Sequence, residues 1–483
     1  MNKSKKITAL IVAAMLSVMV FTGCTGTSSA SDSASATSAS SSMQSSSMGA
    51  PPSGSSSMGE PPSGSSGGPG GAPGGGTSDF EYTAATEITS ADSQDGQTYA
   101  STTTDESALI VNTADDVTLS NITVTKSGDS NGGDNCNFYG LNAGLLVMGG
   151  STTTINGGTI ETNANGANGI FSYGGNGGHN GGEGDGTTVN VSDVTITTTG
   201  SGSGGIMTTG GGVMNASNLT IITSGGSSAP IRTDRGGGTV NVDGGTYTSN
   251  GLGSPAIYST ADINVANATL VSNLSEGVCI EGKNSITLTD CDLTANNTKC
   301  NGHATFYDSI MIYQSMSGDA DSGTSSFNMT GGTLTSKNGH IFHVTNTNAI
   351  INLDGVKLVN EDAANILLSV CADGWSGAGN VATLNATGQT LDGTILVGSD
   401  STLTLNLTNG STFTGAISGE IENASGETVS TEVGTVDVTL DSTSTWTLTA
   451  DTYVTSFDGD AASVISNGYT LYVNGVALSG TSA

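Results

Sequence analysis

The sequence predicts an all-β protein: a single right-handed parallel β-helix, a three-sheet solenoid with loop insertions and wider C-terminal coils. The first observation behind this is a repeat. Nine segments, from TLSNITVT to NLDGVKLVN, each open on an apolar anchor: Leu119, Ile155, Val191, Ala216, Val242, Val265, Leu288, Met329 and Leu353. The steps between anchors are 36, 36, 25, 26, 23, 23, 41 and 24 residues, a basic period of 23 to 26 with three enlarged steps. A fixed period interrupted by enlargements is the mark of a repeat array carrying loops. The second observation is alternation. Five residues after each anchor stands another apolar residue (Val124, Ile160, Ile196, Ile221, Tyr247, Leu270, Leu293, Leu334, Leu358), commonly flanked by threonine. Period-two alternation gives a strand one buried face. The third is a further apolar column at Ile170, Ile206, Ile231, Ile257, Val278, Ile310, Ile341 and Ile366. No strict six-residue period occurs, which excludes the left-handed hexapeptide prism.

One coil cannot bury these residues alone. Stacked coils bury them as three continuous columns, with equivalent residues ~4.8 Å apart along the stack. Gly, Asn and Asp between the strands supply the turns. From about Ala382 the strands lengthen and the period falls to near twenty, as in TLTLNLTNGSTFTGAIS. Residues 79–381 are therefore expected to form the β-helix with its insertions, and 382–483 its closing coils.

The N-terminus reads as targeting sequence rather than fold. Lys3, Lys5 and Lys6 precede an apolar stretch from Ile7 to Phe21, which ends in Thr22-Gly23-Cys24. This is similar to the lipobox of bacterial lipoproteins, with Phe21 where leucine is usual. Residues 1–24 are thus expected to be a lipoprotein signal peptide, with Cys24 the lipidated residue. Residues 25–78 are rich in Ser, Gly, Pro and Met and contain the repeat SSMGAPPSGS/SSMGEPPSGS. Nothing in them can form a core. The expectation is a disordered tether with a mean span of roughly 40 Å.

Charge narrows the partners. Forty-two acidic residues against 10 basic ones give a net charge of −32. Such a surface repels nucleic acid and anionic membranes, and also acidic polysaccharides unless cations bridge them. Contact with a membrane is expected only through the lipid. Five cysteines remain after Cys24. The odd count argues against a disulfide framework; Cys291 reads as a small core residue, and Cys136 and Cys300 fall in insertions.

On this fold, function is expected on one outer face and in the loops beside it. Insertions at 127–144, 173–186, and 301–309 with 317–323 all border the third strand of their coils. The outward positions of that strand are the most varied, and they carry rings beside charges: Tyr173, Arg232, Asp234, Tyr258, Glu281, Tyr313 and Phe342. Rings stack on the apolar faces of sugars, and charged groups bond their hydroxyls, so this strip is the expected carbohydrate site. Arg232 and Arg235 are the only arginines. A lyase would need a base beside a calcium-binding acidic cluster, but Thr260 stands opposite Asp234 on the next coil, so no catalytic residue is assigned. Glu183 with Asp185, and Asp319 with Asp321, each place two carboxylates near a glycine. That is a weak calcium signature, because calcium takes six to eight oxygens. His340 and His343 are expected on opposite strand faces and make a poor metal pair.

The stretch APIRTDRGGGTVNVDGGTYTSNGLGSPAIYSTADINV, followed by GVCIEGKNSITLTDCDL, resembles the pectate-lyase-like β-helix superfamily. It is most similar there to tethered, carbohydrate-binding, adhesin-like surface lipoproteins of anaerobic Gram-positive bacteria. The resemblance spans roughly residues 90 to 480. It implies binding of a polysaccharide or of a host or cell-surface glycan at the outer face of the membrane, with calcium as an optional aid. It identifies no ligand residues. The alternatives are a polysaccharide lyase or hydrolase working on the third-strand face, and a structural stalk.

Overall fold

The computed structural model describes residues 81–175, 183–300 and 302–483. Cys24 and the expected tether lie outside them. The described chain is a parallel β-helix. Its third strands form one 13-stranded parallel sheet, from Ala84–Ile88 through Ile231–Thr233, Ile257–Ser259 and Asp308–Tyr313 to Ile417–Ser418. The first and second strands stack into a second parallel ladder.

In the early coils these two strands are one long bent element, for example Thr188–Thr198 and Gly238–Ser249; from Asp262–Ala266 onward they are separate. The bend has a local cause. Two residues after each anchor the backbone turns left-handed: Asn121, Gly157, Asp193, Asn218, Gly244, Asn267, Asp290, Gly331 and Gly355 all have positive φ. Only Gly, Asn and Asp adopt that region at low cost. A row of outward asparagines braces the strand that leads into the corner: Asn215, Asn241 and Asn264 each donate to the asparagine one coil earlier, at 2.9–3.0 Å.

The core follows the expected columns. Every anchor is at most 4 % exposed, and Val124 through Leu334 in the second column at most 1 %. In the third column Ile170, Ile206, Ile231, Ile257, Val278 and Ile310 are fully buried and in register. Beyond Ile310 the expected column needs correction. Phe342, not Ile341, pairs with Ile310, and Leu368, not Ile366, continues the column. Phe342 is therefore a core residue packed on Phe327 at 5.8 Å, not an outward ligand group. Ile341 is buried beside it, and a register shift follows one coil later, between Ile366 and Leu368.

His340 and His343 come together at one serine. Both Nδ1 atoms lie 2.7 Å from the Ser369 hydroxyl, where alternation alone placed them apart. Cys291 is a core residue as expected, and all five described cysteines are free.

Candidate functional site

Along the middle of the 13-stranded sheet one outward row reads Phe171, Met207, Arg232, Tyr258, Cys279 and Met311, one residue per coil. The expected strip is a roofed cleft. The loop 127–144, which contains a short helix, Asn135–Phe138, covers one side. Segments 302–307, 314–323 and 371–379 cover the other. Phe171, Met207 and Glu281 are fully buried, and Tyr313 is 5 % exposed. Between the roofs remains a cavity of about 490 Å³ lined by Asp134, Phe138, Arg232, Asp234, Tyr258, Glu276, Tyr313, Asp319 and Trp375, among others.

Arg232 and Asp234 stand two apart on one short strand and its exit, so both face outward. They form an ion pair at 2.7 Å, and Arg232 also donates to the Ser227 carbonyl at 3.1 Å. The inward Thr233 between them accepts the Thr260 amide at 2.8 Å and ties the strand to the next coil. The Arg232 guanidinium sits 5.7 Å above the ring of half-buried Tyr258. Tyr258 donates its hydroxyl to Glu281 at 2.7 Å. Glu281 also accepts from Tyr313 at 3.2 Å and from Ser315 and Ser317. Glu281 thus anchors both tyrosines from below and does not face the cavity. Tyr313 packs on Trp375 with ring centres 4.9 Å apart.

Burial outweighs Arg232 and, with Asp319 nearby, pushes the Asp234 carboxyl up to about 6. Burial likewise raises Glu281 above the usual carboxylate range, against the hydroxyls that donate to it. Arg235 holds the two roofs together. It bonds Asp319 at 2.5 and 3.1 Å, and its guanidinium lies 3.9 Å from the centre of the Phe138 ring.

Of the seven expected carbohydrate residues, Arg232, Asp234, Tyr258 and Tyr313 meet in the cleft and Glu281 supports them. Tyr173 does not join them: it packs with Tyr82 and Tyr139, toward the N-terminal end of the sheet. Phe342 is core. The four expected calcium ligands are not assembled. Asp319 is paired with Arg235 and Asp321 with Lys283 at 2.6 Å, while Asp185 accepts from Thr187. Glu183 is exposed, and residues 176–182 of its loop, with His179, lie outside the described residues. Among the described residues no group of three or more His, Cys, Asp or Glu is placed to hold a metal.

Trp375, Phe138, Asp134 and Glu276 were not legible as site residues. A signal for Trp375 did exist: it is one of two tryptophans, in the Gly-rich run CADGWSGAGN between two strands. That run belongs to a fourth insertion, and its Asp373 faces inward. Asp373, His343 and Ser369 form a line (His343 Nε2 to Asp373 at 3.3 Å, Nδ1 to Ser369 at 2.7 Å). Ser369 and His343 are fully buried. Beside this line Asp308 is also fully buried, with neither carboxyl oxygen hydrogen-bonded. Burial, with Glu276 and Asp373 near, pushes its carboxyl well above the usual range.

No family model matches the chain, and no curated protein or solved structure is significantly similar to it.

Proposed function

We infer that this protein is a lipid-anchored cell-surface β-helix that captures polysaccharide, and that the roofed cleft is its sugar site. One observation carries the reading: Tyr258, Tyr313 and Trp375 stand beside Arg232 and Asp234 in one cavity of about 490 Å³. That lies within the about 300–1,000 Å³ usual for ligand pockets. A sugar presents apolar C–H faces that pack on rings, and hydroxyls that planar charged groups bond with defined geometry. The net charge of −32 disfavours polyanions, so the ligand class is a neutral glycan.

A glycan array with and without calcium would identify the ligand. With that ligand, Tyr258→Ala and Arg232→Ala should each weaken binding by roughly ten- to a hundred-fold, the loss of about 1–3 kcal/mol, and the same weakening should persist in Arg232→Ala/Asp234→Asn, where no buried charge is left without its partner. Unchanged affinity in both variants would count against the cleft.

The anchor rests on Thr22-Gly23-Cys24 and the Ser-rich stretch after it. Cys24→Ala should release the protein into the medium and abolish incorporation of labelled fatty acid. Failure of the wild-type chain to take up label would refute lipidation.

A second reading, an enzyme acting on the same glycan, has one specific support. Asp234, held at about 6, is a carboxyl poised to exchange protons near neutral pH, with Asp319 close by. Slow turnover that Asp234→Asn abolishes while affinity persists would favour it. Binding without any cleavage leaves the capture reading.

A further inference from the structure

Asp308 opens the strand Asp308–Tyr313, directly after the inserted segment 302–307 that roofs the cleft. It is fully buried, and neither of its carboxyl oxygens has a hydrogen-bond partner. Val278 and Ile310 pair across adjacent coils, so Glu276 and Asp308, each two residues earlier, stand one coil apart. Glu276 is buried too, accepts from the Ser275 hydroxyl and lines the cleft. A carboxylate with no donor, out of water and beside a second carboxyl, takes a proton rather than keep its charge. Asp308 therefore stands as the uncharged acid.

The groups around it offer no counter-charge. The coil before brings Glu276 and Cys279, and the coil after brings His340 and His343. The insertions bring Cys300 and Asp373. No lysine or arginine is among them. Burial and the carboxyls nearby hold both thiols uncharged, with Cys300 pushed up to about 11. Burial and the adjacent His343 push His340 down to about 3, so it is uncharged as well. His343 turns its Nε2 to Asp373, at 3.3 Å.

Asp373 is the clasp of segment 302–307. Thr305 donates both its amide and its hydroxyl to one Asp373 oxygen, at 2.8 and 2.7 Å. Against burial, His343 and Thr305 hold the Asp373 carboxyl below the usual range, so it is ionised at neutral pH. The segment's other ties are an amide from Ala424 to the Thr305 carbonyl at 2.9 Å and the Phe306 ring against His343, with centres 4.8 Å apart. A charge on Asp308 would act on Glu276 and Asp373 together.

We propose that Asp308 is a proton latch for the roof: uncharged, it lets Asp373 hold segment 302–307 over the cleft, and ionised, it repels Asp373 and releases that segment. The direction follows from linkage. Folding favours the protonated form of Asp308, so closure is complete below the ordinary carboxyl range. As pH rises above that range the closing equilibrium falls, by about tenfold per pH unit for one proton. The latch holds whether or not the cleft binds sugar, because it concerns the roof alone.

Limited proteolysis of the full chain by subtilisin between pH 6 and pH 9 tests this, with each rate divided by that for an unfolded peptide of residues 300–309 at the same pH. Cleavage within 302–307 of the wild type should rise at least tenfold across this range. In Asp308→Asn it should change less than twofold, and in Glu276→Gln the rise should be smaller than in the wild type. An equal rise in Asp308→Asn would overturn the proposal, as would no rise in the wild type. So would cleavage of 382–483 rising in parallel, since the whole solenoid would then be loosening. Should Asp308→Asn give no cooperative melt, Glu276→Gln decides: an undiminished rise there overturns the latch.

Discussion

Replacing Ile257 with aspartate is expected to unfold the middle of the solenoid. Ile257 is fully buried, in register with Ile231 on the coil before and Val278 on the coil after. A carboxylate there has no partner and would have to protonate or drag water into the column. The cost should be about 5 kcal/mol or more, near the whole stability of an ordinary domain. Thr246→Asp provides the control. Thr246 is exposed on the outer row of the second strand, so its substitution should change stability by no more than about 0.5–1 kcal/mol. Denaturant melts of the two variants beside the wild type measure both. Similar losses would mean that inward and outward positions are assigned to the wrong residues.

The second large effect is expected at Arg235. Removing it as Arg235→Ala leaves Asp319 buried without its counter-charge and takes the guanidinium off the Phe138 ring. Breaking a buried ion pair from one side costs about 3–5 kcal/mol. Here the loss falls on the roof rather than on the coils, because Asp319 and Phe138 both belong to inserted segments. Limited proteolysis should cut within 127–144 and 314–323 in the variant while the cooperative melt of the β-helix persists. Adding Asp319→Asn should restore much of the protection, since the orphan charge is then gone. Unchanged proteolysis in Arg235→Ala would show that the roofs are held by other contacts.

The contrast between coil and roof is also the contrast between what the sequence discloses and what it hides. The columns were legible because each coil repeats the same burial problem: an anchor, a left-handed Gly/Asn/Asp corner and a second apolar residue recur in fixed order. Even the failure after Ile310 has a readable cause, since Ile341 and Phe342 are consecutive large apolar residues, both buried, and only the ladder tells which of them continues the column. The outward row from Met207 to Met311 was legible for the same reason, and with it Arg232, Asp234, Tyr258 and Tyr313. The roofs were not. Insertions have no period, so nothing local says that loop 127–144 folds over the row, that Trp375 reaches Tyr313, or that Arg235 pairs with Asp319 some eighty residues away. Glu281 shows the consequence: its position on the outward row was right, but the roof converts it from a ligand group into the residue that orients two tyrosines.

Trp375 reads directly whether the roofed cleft receives the glycan. The chain has two tryptophans: Trp375 lines the cleft, while Trp446 is fully buried in the core and stacked on Phe413 at 5.5 Å. Titrating the array-selected polysaccharide should change tryptophan emission saturably, with a midpoint equal to the Kd from calorimetry. Trp375→Phe should lose the signal while Trp446 still emits. Emission that stays constant while calorimetry reports saturation would place the glycan elsewhere and contradict the assignment.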